Sequence, residues 1–131
     1  AVMKSLNLNY LRGVYDFLFG KSDEELEGFD INLDANRKIL FEEMGRSFSK
    51  FGPISKENII NGINFILINC SDDQLWRSAI PHDLPLNRVI DRRNYLKDML
   101  FALTKTTPSL VDAKDFVLID EIGPNGLDYS K

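Results

Sequence analysis

The chain has 131 residues, 44% of them hydrophobic and 27% charged, and carries a net charge of −4 from 20 acids and 16 bases. That balance excludes an intrinsically disordered chain, and a domain of this size buries roughly two-thirds of its unfolded surface, enough for one self-supporting core. A single cysteine, Cys70, excludes an internal disulfide and a cysteine-based zinc site, and a single histidine, His82, excludes any motif built on two.

Leu11, Val14, Tyr15 and Leu18 stand at i, i+3, i+4 and i+7, which predicts a first helix over Asn9–Phe19 with Gly20 as its left-handed stop. Ser22-Asp23-Glu24-Glu25 has the spacing of a capping box and starts a short helix that holds one apolar residue, Leu26, before Gly28 ends it. From Asp16 to Asp34 seven acids face one base, Lys21, so this stretch is strongly negative. Asp34 is the expected cap of a long helix in which Phe41, Met44, Phe48 and Phe51 keep helical spacing, and Gly52-Pro53 must end it. Gly45 inside that helix costs about 1 kcal/mol relative to alanine.

Ser55 is the expected cap of the apolar segment Glu57–Cys70. Ile63–Ile68 is rich in strand formers, yet apolar residues occur all round the segment, which favours a buried central helix over a buried strand. Ser71-Asp72-Asp73-Gln74 is a second capping box, followed by Leu75 and Trp76. Pro81 and Pro85 bracket a rigid link, and a long helix is expected over Leu86–Thr104 with Val89, Leu96, Leu100 and Leu103 on its inner stripe. Lys105–Ser109 reads as a loop, Phe116–Ile119 as a short strand, and Pro124-Asn125-Gly126 as a turn. The fold class that follows is mainly α: a single compact helical domain over 1–131 of about five helices, with at most a short strand pair near Phe116–Ile119. Residues 1–5 and 128–131 are expected to fray.

The chemical motifs are weak. Asp30-Ile31-Asn32-Leu33-Asp34-Ala35-Asn36 alternates oxygen side chains as a calcium loop does. Ala35, however, stands where the turn needs glycine, and Phe41 where a bidentate glutamate must close the cage. Cys70 and His82, with Asp83 to orient the imidazole, are the only thiol–imidazole combination, and nothing local supports it as a catalytic pair. Arg88, Arg92 and Arg93 beside Tyr95 are explained by a solvated helix face paired with Asp91, and net acidity opposes a nucleic-acid partner. No glycine-rich phosphate cradle is present, so no catalytic residue, metal or cofactor is assigned. No stretch approaches the roughly 20 apolar residues of a membrane span, and with no export leader a cytoplasmic location is expected.

Trp76 fills the core or anchors an interface, and the acids Asp72 and Asp73 beside it fit the second role. The size, the acidic segment Ser22–Asp34 and the stretch Trp76–Leu86 entering the long helix resemble the immunity proteins of bacterial contact-dependent growth inhibition and related polymorphic toxin systems. The resemblance transfers no fold and no catalytic residues. It implies a protein partner: a basic, nuclease-type toxin domain blocked by a tight complex. A non-enzymatic inhibitor is therefore the expected function. A regulatory adaptor and a small hydrolase using surface carboxylates are the alternatives. The expected interface is Asp23, Glu24, Glu25, Glu27 and Asp30 with Asp72, Asp73 and Trp76, and Asp120 and Glu121 form a second candidate surface.

Overall fold

The computed structural model describes residues 4–81, 83–105 and 116–118. Strand β1 (Lys4–Leu6) leads into a 3-10 helix (Leu8–Gly20), then α1 (Asp23–Glu27), α2 (Asp34–Lys50), α3 (Pro53–Ile68), α4 (Asp73–Trp76), α5 (Arg92–Thr104) and strand β2 (Phe116–Leu118). The domain is mainly helical, and the two strands form one small parallel sheet.

The first helix is wound more tightly than the α-helix its spacing predicts. Asn7 caps it, its side chain accepting from the Asn9 N–H at 3.0 Å. At three residues per turn Leu8, Leu11 and Val14 fall in one row and Tyr15 and Leu18 in another, and all five are buried. Such runs rarely exceed three or four residues because their hydrogen bonds are poorer, so packing must sustain this one. Gly62 of α3 lets the two helices pack closely: a Cβ there would lie 3.3 Å from Leu11 Cδ1 and 3.4 Å from Leu8 Cδ2, tight enough that these leucines would have to shift. Gly20 is not left-handed; the helix ends instead with Lys21 N–H bonded to the Leu18 carbonyl at 3.1 Å.

Ser22 caps α1 as expected, and Gly28 ends it. The N-terminus of α2 differs: Leu33 occupies the cap with no side-chain hydrogen bond, and Asp34 sits in the first turn, where its charge meets the positive end of the helix. Gly52-Pro53 ends α2 and also opens α3, because proline fits the first turn, where its missing N–H costs nothing. The helix therefore starts before Ser55, which is buried inside it rather than capping it. Ile63–Ile68 is helical, and α3 packs on the 3-10 helix, α5 and β1.

The long helix begins at Arg92, not Leu86. Asp91 caps it by accepting from the Asn94 N–H at 3.0 Å, and residues 86–90 run as a non-helical strap that still buries Val89. Tyr95, Leu96, Met99 and Leu100 form its buried stripe, with Leu103 only partly buried. The expected strand at Phe116 is confirmed over Phe116–Leu118 and finds its partner in Lys4–Leu6, which overlaps the stretch expected to fray. The pairing is parallel, Lys4 opposite Phe116, a geometry that needs a long crossover, here supplied by the helices between. Tyr95 is the hub of the core. Its hydroxyl lies 2.9 Å from that of Tyr15, the Phe41 ring stands edge-on at 5.2 Å, and the Arg37 guanidinium lies 5.2 Å from its ring centre.

Candidate partner-binding surface

Asp23, Glu24, Glu25 and Glu27 are all exposed on α1, and Leu26 alone is buried. Ser22 Oγ accepts from the Glu25 N–H at 3.2 Å and donates to the Glu25 carboxylate at 3.3 Å. Among the described residues Asp23, Glu24 and Glu27 make no ion pair or side-chain hydrogen bond. Three acids in the first turn are compatible with the helix because its N-terminal amides carry partial positive charge.

Behind α1 the chain is fastened to the strap by asparagines. Asn87 donates from Nδ2 to Asp30 Oδ1 at 2.8 Å and accepts the N–H of fully buried Ile31 at 2.8 Å. Asn32 donates to the Arg88 carbonyl at 2.8 Å and accepts the Ile90 N–H at 2.9 Å. Asn36 donates to the Asp30 carbonyl at 3.1 Å. Asp30 and Asn32 of the oxygen-rich alternation thus hold two segments together, and among the described residues no group of three His, Cys, Asp or Glu is placed to hold a metal ion. The Asp30 carboxyl is held below the usual carboxylate range, first by the Asn32 backbone N–H and then by Asn87. Asp30 is a fastening of the surface rather than an open charge on it. At the end of the strap Val89 is buried and Ile90 is 84% exposed, next to the Asn32 that precedes Leu33, itself 54% exposed.

No family model, curated protein or solved structure matches this chain.

The second half of the expected interface is committed elsewhere. Asp72 caps α4 by accepting the N–H groups of Gln74 and Leu75. Arg92 bonds Asp73 Oδ1 at 2.8 Å and the Cys70 carbonyl at 3.0 Å, and its guanidinium lies 5.0 Å from the centre of the Trp76 ring. Trp76 is half-buried, packed on the core with its ring 6.2 Å from Tyr95. Arg92 thus pairs with Asp73 rather than Asp91, and Arg88 lies off the helix that carries Arg92 and Arg93. Among the described residues no hydrogen bond or ion pair joins α1 to α4. Asp83 forms a bidentate pair with Arg12 at 2.7 and 3.1 Å. His82, Asp120 and Glu121 lie outside the described residues. Ile90 and Leu33, the apolar neighbours of the acidic segment, are the residues that sequence reasoning passes over. The signal for Ile90 is the inward–outward alternation of Val89-Ile90, which a helical reading of 86–104 hides.

Proposed function

We propose that this chain is a non-enzymatic inhibitor of the immunity type, which neutralises a basic, nuclease-type toxin domain by forming a tight complex. The observation that carries this reading is the exposed set Asp23, Glu24 and Glu27, unpaired among the described residues, on a helix that gives the core only Leu26. A toxin groove built for phosphates is complementary to such carboxylates, which raise the association rate and select the partner. Apolar groups supply much of the affinity once contact is made. Ile90 and Leu33 suit that role better than Trp76, because they are exposed on a fastened loop while Trp76 is already packed. Glu27 is six residues from Leu33, so these two lie at most roughly 20 Å apart.

The test is growth protection and association kinetics with the toxin domain encoded beside this chain. The parent should restore growth. The variant Asp23→Lys/Glu24→Lys/Glu27→Lys keeps the Glu25 cap and should associate at least tenfold more slowly at low salt, with the gap closing as salt is raised. A parent that fails to protect refutes the immunity reading, and a divalent-metal-dependent hydrolytic activity would favour the hydrolase. A variant that associates like the parent at every salt concentration moves the interface away from α1.

A further inference from the structure

Arg37 is the only charged side chain in the buried class among the described residues, with 8% of its surface exposed. Arginine is almost never buried without a partner, because a desolvated charge costs several kcal/mol unless an opposite charge or hydrogen bonds replace its water. Here the replacement is partial. Nε donates to the Ile31 carbonyl at 3.1 Å, and the guanidinium lies 5.2 Å from the centre of the Tyr95 ring. No carboxylate among the described residues is within ion-pair distance. A guanidinium has five N–H donors, so the four on the terminal nitrogens have no acceptor among the described residues. Neither terminal nitrogen is sealed from solvent, since no buried side-chain nitrogen lacks a partner.

Arg37 lines an open groove of about 960 Å³ between α2 and α5. Of the other charges there, Arg46 pairs with Glu43. Lys38 and Lys105 also line the groove, offset by Asp34, Glu42 and Asp98. The lining is thus close to charge-balanced, and what marks the groove is the set of Arg37 donors with no acceptor among the described residues. Phe101, 54% exposed, provides an apolar wall, and the Lys105 ammonium lies 5.8 Å from the centre of its ring. The Ile31 carbonyl and the Tyr95 face fix the guanidinium plane before any ligand arrives, so little freedom is lost on binding.

The geometry points to an oxyanion-binding site in the α2–α5 groove, in which a carboxylate or phosphate group bonds the terminal nitrogens of Arg37 and an attached apolar part lies on Phe101. A planar carboxylate and a phosphate both match the guanidinium fork. The site is independent of the acidic surface on α1, and neither reading requires the other.

The experiment titrates the isotope-labelled protein, by NMR, with sodium phosphate in one arm and sodium acetate in the other, each against sodium chloride at equal ionic strength. The Arg37 Nε–H and the amides of Phe101 and Lys105 should shift and saturate, with a midpoint on the order of 1 mM in the preferred arm. Arg37→Lys keeps the charge but not the fork and should weaken binding at least tenfold. Lys105→Ala, which leaves the core intact, should weaken it two- to threefold and reports even if the Arg37 variant does not fold. Shifts that follow chloride, fail to saturate, or stay unchanged in Lys105→Ala and in a folded Arg37→Lys would overturn the assignment.

Discussion

Replacing Asn87 by alanine tests whether the asparagine fastening holds the candidate surface. The substitution removes two hydrogen bonds, to Asp30 Oδ1 and from Ile31 N–H, each 2.8 Å long. Ile31 is fully buried, and a buried N–H left without an acceptor costs about 1–3 kcal/mol. Asn87 itself is exposed, so water enters where its amide stood and holds the cost to about 1–2 kcal/mol. With a urea m-value of about 2 kcal/mol/M, the unfolding midpoint should fall by about 0.5–1 M. Hydrogen exchange should quicken at Ile31. The loss is pH-dependent with a definite sign. The Asp30 pKa is lowered from 3.8 in the fold, so its contribution is present above pH 3.8 and is lost as pH falls through the lower folded value. The gap between parent and variant should therefore narrow on acidification. Asn87→Asp keeps an acceptor for Ile31 but sets a carboxylate against Asp30, and should be worst at neutral pH and recover in acid. An unchanged midpoint and unchanged Ile31 exchange in Asn87→Ala would refute the reasoning.

Two further predictions concern the core and the helix interfaces. Burial raises the Tyr15 and Tyr95 phenols above their usual 10.0, so both stay protonated in the fold and their stabilising effect is complete below that pH. Stability should fall as pH rises above it, with phenolate absorbance from both appearing together with unfolding. Tyr95→Phe leaves the Tyr15 hydroxyl only the Met99 sulfur at 3.8 Å and should cost about 1–2 kcal/mol in chemical denaturation. The two helical glycines should behave oppositely. A Cβ at Gly45 meets the Ala102 carbonyl at an ordinary 3.6 Å, so Gly45→Ala should stabilise by about 0.5–1 kcal/mol, whereas Gly62→Val should overpack Leu8 and Leu11 and cost about 1–3 kcal/mol, both read from thermal melts.

Of the candidate surface, α1 was readable because its cap, its acids and its single leucine all lie within six residues, Ser22–Glu27. The expected pairing of α1 with Asp72, Asp73 and Trp76 rested on charge and on one aromatic anchor, and the structure shows internal partners for these three residues. Asp72 was taken by the start of α4, Asp73 by Arg92 sixteen residues from Trp76, and Trp76 by Tyr95. A sequence pattern counts charges but cannot say which are already paired. The same limit hid Arg37, whose spacing in α2 matches that of a surface arginine and whose burial depends on Ile31 and Tyr95.

The sequence left Ile63–Ile68 open between helix and strand, but by itself determined the mainly helical class, the Ser22 cap and the break at Gly52-Pro53. Each rests on periodicity or capping within one turn of chain, where local hydrogen bonds and side-chain spacing act alone. Only the tertiary structure decided the 3-10 winding of Leu8–Gly20, which packs closely against Gly62, and the extended strap at 86–90, whose backbone groups find Asn32 rather than a helical partner. It also decided the parallel pairing of Lys4–Leu6 with Phe116–Leu118, segments separated by nearly the whole chain. Contacts between residues far apart in sequence leave no periodic trace in either segment, so these features become visible only once the helices have packed.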